Sequence, residues 1–333
     1  MTLDWLRTSF GLFCLSLAIL PGCRRSSSGS ADAVRIGYFA NLTHAQAVLG
    51  VASGDFARAL GPTKLETKIF NAGPSLIEAL FAGEIDIGYV GPGPVIAAHE
   101  KSGGKGIRVI AGAASNGVVI VARAGSGIEK LADLSGKRVG TPQLGNTQDV
   151  SARHYLSAVL KQSDLSNVVP IDNAEQAAMF SRGQLDAAWV PEPWGQRLIA
   201  ETGAKLIAEE KDLWPSKEFT LTEVVTTPEF LAKHPDLVEK VLGVHRAWTQ
   251  RLQGDPAKYT PKLADALQAL TGKKLGTDVL APALSRVGFV TDPGIETLRA
   301  FARWKAELGF GSSPVELKDL VDSAPLEHAS AAP

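Results

Sequence analysis

Cysteine is nearly missing from this chain: the 333 residues hold two, Cys14 and Cys23. Both fall near the start, so everything beyond Cys23 lacks a disulfide or a cysteine metal site. Histidine is sparse as well, six residues scattered singly, and no His-Glu-x-x-His pair occurs. The Gly-x-Ser-x-Gly turn of serine hydrolases is absent, because the serine within residues 112–117 has the wrong spacing. Gly136-Lys137 lacks the spacing of a phosphate loop, and residues 38–44 hold no Gly-x-Gly-x-x-Gly turn. These gaps argue against hydrolytic, nucleotide-dependent and hydride-transfer chemistry, so no enzyme activity, metal or cofactor is expected. An excess of charge is missing too. Lys and Arg number 34 against 35 Asp and Glu, which gives no reason to expect a nucleic-acid partner.

Long apolar runs are also lacking. Residues 9–19 are the best candidate, and they are too short to span a bilayer comfortably. Arg7 precedes them and Leu20-Pro21-Gly22-Cys23 follows, which together read as a signal peptide over residues 1–22. The tetrapeptide resembles the bacterial lipoprotein box, in which cleavage leaves a lipid-modified cysteine as the first residue. That resemblance implies lipidation of Cys23 and a membrane contact through a lipid anchor. A Ser/Gly-rich tether then runs through residue 33 and places the folded body outside the cytoplasmic membrane. With 45% hydrophobic and 21% charged residues, the whole chain has the balance of a soluble protein and the length of roughly two domains.

What is present is a device used more than once. Lys137-Arg138-Val139 ends a strand, residues 140–150 form a polar turn, and Val150, Leu156, Val159 and Leu160 then recur at helical spacing. Asn146 or Thr147 is expected to cap that helix, whose free N–H groups and positive dipole end suit a small anion. Arg35-Ile36-Gly37 matches Arg138-Val139-Gly140, and an Asn/Thr loop and a helix follow each. A second pair is clearer: Gly83 with Gly183, Asp86 with Asp186, Val90 with Val190, and Pro92/Pro94 with Pro191/Pro193.

Repeated strand–helix–strand units imply two α/β lobes with parallel strands and right-handed crossovers. Residues 34–117 and 220–322 are expected to form one lobe, with its C-terminal helices packed on it, and residues 118–219 the other. Residues 323–333 are expected to fray. Two near-extended passages, around residues 109–123 and 218–227, would let the lobes close about a hinge. Ligands of open α/β sheets lie beyond the carboxyl ends of strands, so the turns should line one interlobe cleft.

The lipoprotein box, residues 70–75, 83–91 and 131–140 and the Asp186–Trp194 stretch together resemble the solute-binding lipoproteins of ABC importers. The nearest branch is the one for nitrate, taurine and aliphatic sulfonates. The likeness covers roughly residues 20–310. It implies a type II periplasmic-binding-protein fold, two-lobed and α/β, and capture of a small-molecule ligand by closure. It further implies delivery to a permease and its ATPase, and a monomer is expected. The pyrimidine-synthesising enzymes that share this fold carry a cysteine cluster that is missing here. A sensory receptor with the same closing body is not separable from a transporter by sequence.

The candidate ligand-binding residues follow from the strand ends. Asn41, Thr43 and His44 follow the first strand; Asn71, Gly73 and Ser75 open a helix, with Ser75 a candidate cap; Gly91 and Pro92 make a bend; Ser115 and Asn116 precede the crossover. Gln143, Asn146 and Thr147 are the strongest polar set. Trp189, Glu192 and Trp194 surround a Pro-rich turn, where Trp194 would cover an organic tail and Glu192 would make a structural hydrogen bond or meet an amine. None of these turns contains an arginine, so an oxyanion would depend on helix N-termini, neutral donors and His44. Sulfonate, weakly basic and weakly hydrated, suits such donors, and nitrate or bicarbonate would leave the tryptophans without a tail to cover.

Overall fold

The computed structural model describes residues 31–311 and 316–330. The signal peptide, Cys23 and most of the tether lie outside the described residues, and β1 already begins at the tether's last position. Among the described residues, no helix is long and apolar enough to cross a membrane.

The first half runs β1 (Ala33–Phe39), α1 (Ala45–Ala52), α2 (Asp55–Leu60), β2 (Lys64–Phe70), α3 (Gly73–Phe81), β3 (Ile87–Val90), α4 (Pro92–Lys101) and β4 (Arg108–Asn116). Pro74 and Pro92 sit in the first turns of α3 and α4, where a missing N–H costs no helical bond. The chain then crosses to β5 (Val118–Ala122), β6 (Val139–Thr141), α5 (Thr147–His154), β7 (Val168–Pro170), α6 (Asn173–Ser181), β8 (Ala187–Pro191), α7 (Trp194–Thr202) and β9 (Lys205–Glu209). It returns through β10 (Thr220–Thr226) to α8 (Pro228–Lys233), α9 (Pro235–Gly254), α10 (Thr260–Thr271), α11 (Thr277–Leu284), β11 (Val287–Phe289), α12 (Ile295–Glu307) and α13 (Ala324–His328).

Two sheets result, ordered β11-β4-β10-β3-β1-β2 and β7-β6-β8-β5-β9. The βαβ units pair in parallel, as β1 with β2 and β3, and β6 with β7 and β8. The strands that carry the chain between lobes, β4, β5 and β10, pair antiparallel with their neighbours, which short-range patterning did not reveal.

The sequence repeat has a structural counterpart. Asp86 Oδ2 accepts the backbone N–H of Arg35 at 2.8 Å while its other oxygen pairs with the Arg35 guanidinium, which also reaches Gly83 O. In the second lobe Asp186 Oδ2 accepts the N–H of Arg138 at 3.0 Å, and that guanidinium reaches Gly183 O at 2.5 Å. The matched Gly, Asp and Arg positions are thus one fastener built twice, between the start of the lobe's leading strand and the loop before β3 or β8.

One apolar core lies between the first sheet and α1, α2, α9 and α10. A second covers that sheet's other face and continues across the seam, joining Phe219, Leu298 and Phe301 to Val118, Ile120, Val150 and Trp189. Rings dominate the seam: Trp214 stacks on Phe219 at 5.1 Å, and Trp304 of α12 stacks on His154 of α5 at 4.3 Å. The crossover itself is Asn116-Gly117, both at positive φ, and Asn116 N–H donates to Phe219 O on the returning passage at 3.0 Å.

Two expectations need correction. The C-terminal stretch is not frayed as far as it is described: Arg246 of α9 donates to Leu326 O at 3.2 Å and to Ala329 O, and Ala329 is buried. Nor do the C-terminal helices pack on the first lobe alone, since α11 lies on α7 and α12 on α5.

Candidate functional site

Helix N-termini from both halves converge on one polar chamber. His44 precedes α1, Asn71 lies just before α3, Gly91 caps α4, Asn146 caps α5 and Asn173 begins α6. With Thr43, Asn41, Thr147, Gln148 and Thr222 they line a space of about 20 Å³, closed in by Phe39, Pro191 and Leu221. No lysine, arginine, aspartate or glutamate lines it.

The internal hydrogen bonds of the chamber occupy two of its amide oxygens. Thr43 Oγ1 donates to Asn41 Oδ1 at 2.8 Å, and Asn146 Nδ2 donates to Gln148 Oε1 at 3.1 Å. The N–H of Gly93 donates to Thr147 Oγ1 at 3.3 Å, across the cleft. Among the described residues, Asn41 Nδ2 and Gln148 Nε2 therefore have no protein acceptor. His44 belongs with them. Its Nδ1 accepts the Phe39 N–H at 3.3 Å, which leaves the ring proton on Nε2. Burial lowers its pKa to about 3, so the ring is a neutral donor at any ordinary pH.

A larger cavity of about 220 Å³ opens from the chamber and shares Phe39, Asn41, Asn71 and Asn173 with it. Ile69, Phe70, Ala174, Trp194 and Leu270 give its walls an apolar side, and Asp172, Arg197, Thr271 and Lys273 a polar one. Arg197 stacks on the Trp194 ring at 4.8 Å and is held by Glu201 Oε1 at 2.8 Å.

Of the expected residues, Asn41, Thr43, His44, Asn71, Gly91, Asn146 and Thr147 line the chamber, and Trp194 lines the adjoining cavity. The others stand elsewhere. Gly73 is buried where a β-carbon would lie 2.3 Å from Pro94 Cγ, so it serves the contact of α3 with α4. Ser75 is exposed in the third position of α3 and does not cap it; Ala72 holds that place. Pro92 is buried as the first residue of α4, and Gln143 lies in the turn without lining either cavity. Ser115 is buried under Gly288 of β11, and Asn116 is spent on the crossover. Trp189 is a core residue, because strand alternation turns it inward, where its indole N–H meets Glu210 Oε2 at 2.5 Å. Glu192 is fully buried and pairs with Arg286 at 2.6 Å, while accepting the Gln196 N–H at 3.0 Å. Burial pushes its carboxyl up, an effect those two partners oppose. Asn146 is the N-cap of α5, yet its side chain makes no cap bond; Asp149 instead accepts the Gly145 N–H at 2.9 Å.

Phe39, Gln148, Asn173, Thr222 and Arg197 were not foreseen. Asn173 had a signal, since Asp172-Asn173-Ala174 occupies the place of Asn71-Ala72 in the repeat. Arg197 adds a guanidinium to the cavity wall from within α7, outside the turns.

The NMT1-like family model matches residues 28–278. A protein of Brucella abortus (strain 2308), described as a binding protein, is 28% identical over 239 residues, 72% of each chain. The taurine-binding periplasmic protein of Escherichia coli (strain K12) is 27% identical over 215 residues, 63% of each. Among solved structures, the alkanesulfonate-binding protein of Xanthomonas axonopodis pv. citri bound to MOPS superposes with a TM-score of 0.72 at 23% identity, covering 87% of this chain and 98% of that one. With two α/β halves, a polar chamber between them and a family match over most of its length, this chain belongs to the NMT1-like family and has the type II fold of the periplasmic solute-binding proteins.

Proposed function

We propose that the protein captures a small organic oxyanion, an aliphatic sulfonate or taurine foremost, by closing its lobes outside the cytoplasmic membrane. The cargo then passes to an ABC permease and its ATPase, with Cys23 carrying the lipid that keeps the protein nearby. One observation supports the ligand class above the rest: several helix N-termini and donor groups without acceptors face a chamber that no carboxylate lines. Such a site stabilises negative charge through fixed dipoles and excludes a cation. The apolar side of the adjoining cavity gives an organic tail a place that nitrate or bicarbonate would leave unfilled. The two relatives named for taurine and alkanesulfonate agree with this reading.

A thermal-shift panel of alkanesulfonates, taurine, nitrate, bicarbonate and pyrimidines tests it, because a ligand that binds only the closed fold raises Tm by mass action. Stabilisation by sulfonates is expected, and a shift with pyrimidines alone would refute the ligand class. Changing Asn146 and Thr147 together to Ala should weaken sulfonate binding by about 1–3 kcal/mol. Because His44 is neutral, affinity should stay level between about pH 6 and 8, whereas an imidazolium clamp would lose affinity as pH rises.

A further inference from the structure

We infer that the cleft selects sulfonates with a ring-sized apolar tail and disfavours those with an ammonium two carbons from sulfur; this rests on the oxyanion reading and, within it, ranks taurine behind the uncharged-tail sulfonates. The chamber's 20 Å³ holds about one water-sized atom, so a ligand seats only part of its head group there. The rest must extend past Phe39, Asn41, Asn71 and Asn173 into the front cavity. That cavity, at about 220 Å³, exceeds the roughly 150 Å³ that suffices for benzene in an apolar site. Its Trp194 wall is set in place, because Glu201 clamps Arg197 and Arg197 stacks on the indole. Phe39, Ile69, Phe70 and Leu270 complete a surface matched to a ring and oversized for a two-carbon chain.

The same geometry leaves an ammonium without a carboxylate at the neck. Two carbons from sulfur, it would lie among the side-chain amides of Asn41, Asn71 and Asn173, none of which carries a counter-charge. The buried acids nearby are already committed or sealed. Asp149 accepts from Thr141, the Gly145 N–H and Arg153, and Glu192 is paired with Arg286. Glu223, next to Thr222, has both oxygens shut off from solvent, and burial raises its pKa well above the usual carboxylate value. Asp172 is the one acidic residue lining either cavity, and it is exposed on the front wall.

Isothermal titration of the protein with ethanesulfonate, taurine and benzenesulfonate separates the two parts, since the first pair differs by the ammonium and the first and third by the ring. Benzenesulfonate is expected to bind about tenfold more tightly than ethanesulfonate, and taurine about tenfold more weakly. Trp194→Ala should cut the benzenesulfonate advantage severalfold. Ile69→Ser, at an exposed wall position, should do the same to a smaller degree and serves if the first variant does not fold. If none of the three binds, the oxyanion reading itself fails. If sulfonates bind but taurine matches ethanesulfonate, or benzenesulfonate has no advantage, or both variants leave the ratio unchanged, the selection is wrong and the oxyanion reading stands.

Discussion

The two lobes are alike in the bonds that fasten their strands and part company at the ends of β3 and β8. Both carry the Arg–Asp–Gly fastener, Arg35 with Asp86 and Gly83, and Arg138 with Asp186 and Gly183. Both set a buried aromatic with a polar tip in the corresponding strand. Tyr89 OH meets His245 Nδ1 at 3.1 Å, and Trp189 Nε1 meets Glu210. Past those strands the likeness stops. The first lobe ends β3 in Gly91, whose bare backbone lets Thr147 come close; a β-carbon there would lie 2.3 Å from Thr147 Oγ1 and 3.0 Å from Leu221 O. The second ends β8 in Pro191-Glu192, and Glu192 crosses to Arg286 on the other lobe. The duplicated scaffold is kept by its fasteners, and the ends of β3 and β8 are where the halves diverge.

The largest expected effect tests that asymmetry. Arg286→Ala leaves Glu192 buried without its cation and should cost about 3–5 kcal/mol in urea unfolding, with much of it recovered in an Arg286→Met, Glu192→Gln double variant. A loss no larger than that of a surface pair would show that the lobes are not tied there.

Next come the two aromatic fasteners, which should answer pH in opposite directions. Burial raises Glu210 to about 7, so the folded state holds its proton where the unfolded chain has released it. The stability of the protein relative to Glu210→Gln should therefore fall, by on the order of a few kcal/mol, as pH rises from about 4.5 through 7. Burial lowers His245 to about 4, so its contribution should instead be lost as pH falls below about 6.5. Thermal unfolding of Glu210→Gln and His245→Gln across pH would show both slopes, and slopes of one sign would break the comparison.

Gly91→Ala should cost about 1–3 kcal/mol in urea unfolding, because the added carbon meets Thr147 of the opposing lobe and Leu221 O of its own. Smallest of all, Arg35→Ala and Arg138→Ala should each cost about 1 kcal/mol or less, given their part-exposed guanidiniums, and the two costs should agree. A clear inequality would mean that one fastener holds more than its twin.

The duplicated framework was legible because glycine, aspartate and arginine at fixed offsets mark backbone needs that hold wherever the unit occurs. The chamber was half legible for a related reason: residues just after a parallel strand have few places to go, which found Asn41, His44, Asn71 and Asn146. Identity alone could not separate Trp189 from Trp194. The first obeys strand alternation and turns into the core, while the second begins a helix at the cleft. Leu270 and Lys273 come from α10, and Thr222 comes from β10, so only long-range packing brings them to the cavities. The C-terminal helix α13 was hidden in the same way, since it depends on Arg246 of α9 to receive its carbonyls.

The aromatic seam has a use beyond cohesion. Trp304 rides on the first lobe's α12 and its stacking partner His154 on the second lobe's α5, with Trp214 4.9 Å from Trp304 on the returning passage. Any swing of one half against the other must slide these indoles past the imidazole, so their emission should change with the angle between the halves. If the halves close on ligand as proposed, these rings would report it optically, and no attached dye would be needed.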